Sequence, residues 1–334
     1  MTPPAPGALA QGQISRCRIT TGARLHFGLL AWGRTTQRNF GGLGVMVDEP
    51  ALVLKASTSE SDVIVADAEF HAVLSALVAK YRSRAQDASR QRPVRLELCA
   101  AMPRHAGFGS GTQLALSVGA ALSLLERGAA GKGPELALLM GRGARSALGL
   151  HGFELGGLLL EAGKRTAEQI GPLISRCNVP DAWRFVLITR RDRQGLDGHD
   201  EQRAFTQLPA MPLATTERLC RLAATGVLPA AFEADFDGFA RSLHEFGILV
   251  GEHFSSVQGG PFRDPSAARL AARLLDLGYP CVAQTSWGPT LVVPCANQKA
   301  AEQLHERLAA QHEAAQWQAH TSRPLNRGAT IEAV

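Results

Sequence analysis

Between residues 103 and 113 the chain reads P-R-H-A-G-F-G-S-G-T-Q, with glycines at 107, 109 and 111 just ahead of a long Ala- and Leu-rich run. Few local folds accommodate that order. Without a Cβ, Gly107, Gly109 and Gly111 let the backbone turn sharply or come close to a ligand. Alternation over residues 94–99 predicts a strand before the loop, and the apolar run over 112–126 predicts a helix after it. Free amides and the positive end of the helix dipole then meet at the loop, an arrangement suited to phosphate. Ser110, Thr112 and Gln113 add polar side chains. A glycine-rich turn with no ligand fits the glycines equally well. No G-K-[ST] follows, so this is not a Walker loop, and the spacing does not match the G-x-G-x-x-G dinucleotide fingerprint.

The loop sits within a mixed pattern. Residues 14–20 and 51–57 read as strands separated by a glycine-rich functional loop at 40–44, followed by a helix over 70–84. A further helix is expected over 135–148, a strand over 155–161 entered through Gly156 and Gly157, and a buried strand over 184–189. These make an α+β domain spanning residues 14–190. After a polar stretch come helices over 215–225 and 235–255, with Gly247 or Gly251 as candidate kinks. Helix 266–277, strands 281–284 and 290–293, helix 298–311 and strand 316–320 then give the order of a ferredoxin-like unit, in a second domain spanning 210–321. The tail from 322 onward is expected to be disordered or docked on a neighbour.

Composition narrows the function classes. At 334 residues and 45% hydrophobic content, both domains can fill a core. The net charge of +5 is spread along the chain, and four Trp and two Tyr offer little for base stacking, so small anionic substrates are expected rather than nucleic acid. The first dozen residues lack a basic start and an apolar stretch, and no run of about 18 apolar residues follows. A cytoplasmic protein with no membrane partner is the expectation. Six cysteines with no C-x-x-C pair read as reduced thiols rather than a zinc site or disulfide scaffold.

Other segments carry candidate chemistry. In A-R-L-H-F-G-L-L, residues 23–30, Arg24 offers a planar fork for phosphate or carboxylate and His26 a hydrogen bond or proton. A surface arginine and a satisfied strand histidine are the alternative. In G-R-G-A-R-S, residues 141–146, Arg142 and Arg145 are suited to an anionic substrate group, though a solvated helix face explains them as well. No Asp occurs between Gly141 and Gly163; Glu154 and Glu161 are the carboxylates there. With Asp48 and Glu49 they are candidates for metal ligation or charge stabilisation. His151 and Glu154 are spaced to share a helical face. In Q-T-S-W-G-P-T, residues 284–290, Trp287 could wall an aromatic ring while Ser286 and Thr290 supply hydroxyls; a tight turn with a packed indole is the alternative.

The glycine segment resembles the second motif of the GHMP kinases, P-x-x-x-G-L-G-S-S-A: Pro103, Gly107, Gly109 and Ser110 match, Phe108 replaces Leu, and Gly111 and Thr112 replace Ser-Ala. Residues 23–30 are similar to the first motif. The set R-L-H-F-G-L-L, F-G-G-L-G-V, H-A-G-F-G-S-G-T-Q, G-R-G-A-R-S-A-L-G-L-H-G-F-E-L-G-G and S-W-G-P-T resembles, in order, the β-ribofuranosylaminobenzene 5′-phosphate synthase family, a GHMP branch that is not a kinase.

The resemblance implies an α+β GHMP fold, with an N-terminal ribosomal-protein-S5-like domain and a C-terminal ferredoxin-like domain. It implies a decarboxylating phosphoribosyl transfer joining 5-phosphoribosyl 1-diphosphate to 4-aminobenzoate in tetrahydromethanopterin biosynthesis. Mg²⁺, no nucleotide cofactor and a homodimer are expected with it. Arg24, His26 and Glu154 would then be catalytic, Gly107 and Gly109 to Gln113 would hold phosphate, and Arg142, Arg145, Ser286, Trp287 and Thr290 would bind substrate. A GHMP small-molecule kinase using ATP, or an inactive phosphate-binding protein of the same fold, are the competing readings. The third kinase motif is a small-residue glycine loop, and Trp287 stands in the corresponding hairpin.

Overall fold

The computed structural model describes residues 14–33, 38–85, 91–166, 168–191, 203, 205–285, 288–311 and 314–334. Alternating β-branched and apolar residues produce a long strand, β1 (Arg16–Gly28), antiparallel to β2 (Gly42–Thr58). The register shifts between Thr21 and Ala23, where a Cβ on Gly22 would collide with the Val47 carbonyl. The second half of β2 pairs with β4 (Val94–Ala100), which pairs in parallel with β3 (Val63–Val65). Its first half pairs with β5 (Leu158–Glu161), and β5 with β6 (Leu173–Cys177). On the far side of β1 lies β11 (Thr330–Ala333), which completes a seven-stranded sheet among the described residues.

A central helix, α2 (Ser110–Arg127), packs on β1 and β2. Its small and apolar residues are buried on nearly every side, from Gln113 to Leu125, between the sheet and α1 (Ala68–Arg84), α3 (Gly133–Leu139) and α4 (Leu148–Leu155). Gly128, at φ 72, closes α2 by donating its N–H to the Leu124 carbonyl at 2.9 Å.

The second sheet runs β10 (Trp317–Ser322), β7 (Arg184–Arg190), β9 (Leu291–Cys295), β8 (Ala283–Gln284). Helices α8 (Pro265–Asp276) and α9 (Gln298–Ala309) bury Leu270, Leu274 and Leu304 against Val186, Ile188 and Val293 of that sheet. Next in the chain come α5 (Leu213–Leu222), a π turn at Ala223–Val227, α6 (Leu228–Glu233) and the 23-residue α7 (Phe236–Gln258), which touches both sheets through β1 and β8. Among the described residues no helix is long and apolar enough to cross a membrane.

Several elements differ from the sequence expectation. The glycine-rich stretch 40–44 is largely the start of β2: a Cβ on Gly42 or Gly44 would stand 2.7 Å from a carbonyl of β1, so these glycines serve close strand approach. Helix 135–148 is cut short at Leu139, because Gly141 and Gly143 adopt φ of 64 and 82 and turn the chain into a loop before α4. The strand at 184–189 joins the second sheet, not the first. Helix α7 passes unbroken through Gly247 and Gly251; Gly251 instead admits the Pro261 carbonyl. Beyond residue 322 the tail is ordered on its own chain. It bridges Val47 to Pro324 and ends in β11.

Candidate active site

The loop before α2 is a left-handed turn repeated: His105, Gly107 and Gly109 have φ of 56, 87 and 70. Two close approaches account for its glycines. A Cβ on Gly107 would collide with Thr285 Oγ1, and one on Gly109 would stand 3.1 Å from Arg24 Nε. Arg24 is fixed from below by its N–H, which donates to the Phe108 carbonyl at 2.9 Å, so β1 delivers the guanidinium directly against the loop. No side chain caps α2, and the Thr112 N–H donates to the Gly109 carbonyl at 3.0 Å, which leaves the Ser110 and Gly111 amides for whatever occupies the loop.

Loop and strand form one wall of a cavity of about 440 Å³. Arg24, His26, Gly107, Gly109, Ser110, Gly111 and Thr112 line it together with Arg142 and Arg145 from the loop 140–147. Arg104, His105 and Ser146 join them, and no carboxylate does so among the described residues. Arg142 lies over the start of α2, with both terminal nitrogens 3.8 Å from the position of a Cβ on Gly111. Its Nε is buried without a hydrogen-bond partner. Burial and the nearby Arg145 lower its pKa, the signature of cations gathered without a compensating anion.

The cavity also has an aromatic part. Phe205 and Phe254 line it with ring centroids 6.2 Å apart, Trp32 packs 4.9 Å from Phe205, and the Arg145 guanidinium sits 5.4 Å above the Phe205 ring.

Behind the cations runs a directed hydrogen-bond chain. Gly28 N–H donates to His26 Nδ1 at 3.1 Å, which leaves the neutral ring's proton on Nε2, 3.3 Å from Ser146 Oγ. Ser146 Oγ donates to Glu161 Oε2 at 2.9 Å, and the Ala147 amide donates to the same oxygen at 2.7 Å. Burial, followed by the positive charges of Arg24 and Arg145, holds the His26 pKa well below its usual 6.5. Burial likewise raises Glu161 to about 7, against the lowering effect of its bonds from Ser146 and Ala147 and of Arg24. The relay thus presents a neutral imidazole among arginines.

Four expected site residues fall elsewhere or differ in role. Gln113 is fully buried, accepting from Thr21 Oγ1 at 2.8 Å and donating to the Gly149 carbonyl at 2.9 Å; it ties α2 to β1 and α4 and does not face the cavity. Thr290, also fully buried, donates to the Ala106 carbonyl at 2.6 Å and fastens the β8–β9 hairpin to the glycine loop. Glu154 lies outside the cavity, where its carboxylate accepts the Gly133 N–H at the start of α3. His26 lines the cavity, with its ring held between the Gly28 N–H and Ser146 Oγ. Ser286 and Trp287 lie outside the described residues; the adjoining Gly288 lines the cavity.

Of the remaining carboxylates, Asp48 accepts the Arg323 N–H at 2.8 Å and Glu49 the Ala51 N–H at 2.8 Å, both away from the cavity. His151 Nε2 lies 2.8 Å from the Gly171 carbonyl. No group of three His, Cys, Asp or Glu side chains forms a metal site among the described residues.

The two sheets, with a glycine loop at the start of a central helix, are those of the GHMP-kinase fold. Homoserine kinase from Cytophaga hutchinsonii superposes with a TM-score of 0.64, covering 98% of this chain and all of that one at 14% identity. Mevalonate-3-kinase from Thermoplasma acidophilum gives 0.65, with 96% and 99% covered at 12% identity. No protein-family model matches the chain. Within that fold, the chain belongs to the β-ribofuranosylphenol 5′-phosphate synthase family. It is 30% identical to the Archaeoglobus fulgidus synthase over 289 residues, 82% of this chain and 86% of that protein. The Methanothermobacter thermautotrophicus synthase is 28% identical over 293 residues, 82% and 87% of the two chains.

Proposed function

We propose that the chain joins 5-phosphoribosyl 1-diphosphate to a para-substituted benzoate, 4-aminobenzoate in the first instance, as a decarboxylating C-glycosyl transferase of tetrahydromethanopterin biosynthesis. The observation that carries this reading is one cavity whose lining combines arginines, free of carboxylates among the described residues, with Phe205 and Phe254. A phosphorylated sugar and an aromatic acid are the pair of ligands such a cavity suits. The relatives' name specifies a phenol, which favours 4-hydroxybenzoate as a second acceptor for the same bond changes.

In this mechanism the loop amides, Ser110 and Thr112 hold the diphosphate, while Arg24 neutralises the charge it gathers as the anomeric C–O bond breaks. The ring carbon bearing the carboxylate, para to the electron-donating substituent, forms the new C–C bond. The bond to the carboxylate then breaks, its electron pair restores aromaticity, and carbon dioxide leaves. No base is required for an amine-bearing ring. Arg145, Phe205 and Phe254 orient the aromatic acid, and the neutral His26 spares the site a further positive charge beside the arginines. Mg²⁺, which neutralises diphosphate when bound, would be carried in on substrate oxygens, since the described side chains furnish no chelate. The active species is expected to be a cytoplasmic homodimer, a state that light scattering would establish.

Purified protein with Mg²⁺, 5-phosphoribosyl 1-diphosphate and carboxyl-labelled 4-aminobenzoate is expected to release labelled carbon dioxide and diphosphate in equal amounts. The same assay with 4-hydroxybenzoate ranks the two acceptors by kcat/KM. Retention of the label in an N-riboside would overturn ring attack. Turnover only with ATP would move the chain to the kinase reading, and phosphate binding without turnover of either acceptor to the inactive one.

A further inference from the structure

The cavity wall at Gly141 adjoins cations that the mechanism above leaves unused. A Cβ at Gly141 would stand 3.1 Å from Arg84 Nη1 and 3.3 Å from Lys80 Nζ, both from the last turns of α1, and Gly141 itself lines the cavity beside Arg142. Arg84 is set in place by α3, whose terminal carbonyls at Leu138 and Leu139 accept from its Nη1 at 2.9 and 3.4 Å. Helix capping accounts for Arg84 but not for its neighbours. Neither the Lys80 ammonium nor the Arg142 guanidinium has a hydrogen-bond or ion-pair partner among the described residues.

Like charges this close destabilise one another, more so where water is partly excluded. The pKa of Lys80 is lowered by burial first, then by Arg142 and Arg84. An anion placed among the three converts mutual repulsion into attraction to a common centre. Gly141 itself, at φ 64, carries no side chain that would press on the two α1 cations. Arg142 links this place to the glycine loop, because its terminal nitrogens also lie over Gly111.

We propose that Lys80, Arg84 and Arg142, grouped around Gly141, form a second phosphoryl-binding subsite, separate from the Gly107–Gly111 loop, that takes the phosphate at the far end of a substrate phosphorylated at both ends. This assignment rests on the reading of the cavity as a phosphoribosyl diphosphate site. The loop would then hold the leaving diphosphate and the Gly141 cluster the 5-phosphate, fixing the ribose between them.

Inorganic phosphate titrated into the full chain, followed by calorimetry and by ³¹P line broadening, is expected to reveal two classes of site. Lys80→Met should weaken one class about tenfold, a change of about 1.4 kcal/mol, while Lys80→Arg restores it. Gly109→Val should abolish the other class and leave the Lys80 class in place. With 5-phosphoribosyl 1-diphosphate, Lys80→Met should raise KM several-fold more than it lowers kcat. Unchanged two-class binding in both Lys80→Met and Arg84→Met, or a single class in the unaltered protein, would overturn the subsite. The phosphate titration needs no turnover. A chain that binds phosphate through Lys80 but converts no phosphoribosyl substrate would therefore refute the proposed reaction and leave the subsite standing.

Discussion

A carboxyl group closed off from water at the end of a strand loses the hydration that favours its charge, and Glu161 accordingly titrates near 7 instead of near 4.5. Between those values the folded protein holds a proton that the unfolded chain releases, so this residue's contribution to stability is full below 4.5 and is lost as pH rises through 7. Glu161→Gln should therefore raise the melting temperature more at pH 8 than at pH 5. In activity the sign reverses. The ionised carboxylate is the stronger acceptor for Ser146, which holds His26, so kcat/KM should rise through pH 7, and Glu161→Gln should lower it about tenfold at pH 8 and flatten that limb. A steep limb near 7 that survives the substitution would assign it to another group. That Arg24, the glycines, Arg142 and Arg145 line one cavity follows from short motifs that place them on one loop or strand. Ser146 and Glu161 were not joined in that reading, since 15 residues and a helix separate them, although a lone acid ending the apolar run L-L-L-E was a usable signal. Gln113 and Thr290 misled because a polar side chain beside a glycine loop can face inward as readily as toward a ligand.

Elements position these residues through a few cross-ties. The β8–β9 hairpin reaches the glycine loop at two points: Thr290 Oγ1 donates to the Ala106 carbonyl, and a Cβ on Gly288 would stand 2.7 Å from Gly107 Cα. Thr290→Val preserves shape but leaves the Ala106 carbonyl without its buried donor, at a cost of about 1–3 kcal/mol. The variant should melt lower and show a raised KM for the phosphoribosyl substrate, with secondary structure unchanged by circular dichroism. Wild-type KM in a destabilised variant would confine the tie to folding. The hairpin itself was readable from two short apolar runs around a turn, as were α2, α8 and α9 from their periodicity. The break between α3 and α4 was harder to place: local apolar spacing continued across it, while left-handed glycines at 141 and 143 decided the outcome. Strand β7 was recognised as a buried strand within the stretch 14–190, but its pairing with β9 and β10 was not readable, because an apolar strand carries no label for its partners.

At the scale of the whole molecule, the chain closes on itself through its last residues, which were expected to be disordered or to dock on a neighbour. Leu325 N–H donates to the Met46 carbonyl at 2.8 Å, and its own carbonyl accepts from Gly157 at 2.7 Å. The Asn326 side chain bonds to both the amide and the carbonyl of Val179 at 2.9 and 2.8 Å, Ala329 N–H donates to the Phe153 carbonyl at 2.7 Å, and β11 covers the outer edge of β1. This strap therefore crosses β2, the end of α4 and the start of β5, the elements that flank Ser146 and carry Glu161. Sequence pattern could not reveal it, because its bonds are made by backbone groups and by contacts more than a hundred residues apart. Deleting residues 324–334 should uncover the β1 edge and loosen α4 against β5. For a chain of this size a loss of several kcal/mol corresponds to a fall in melting temperature on the order of 10 °C. Because the Ser146 to Glu161 bond depends on where β5 begins, kcat/KM should fall at temperatures where the truncated protein is still folded. Thermal melts and assays at 20 °C test both parts. A truncated chain that keeps its melting temperature within about 1 °C and its full turnover would show that the site is held without the strap.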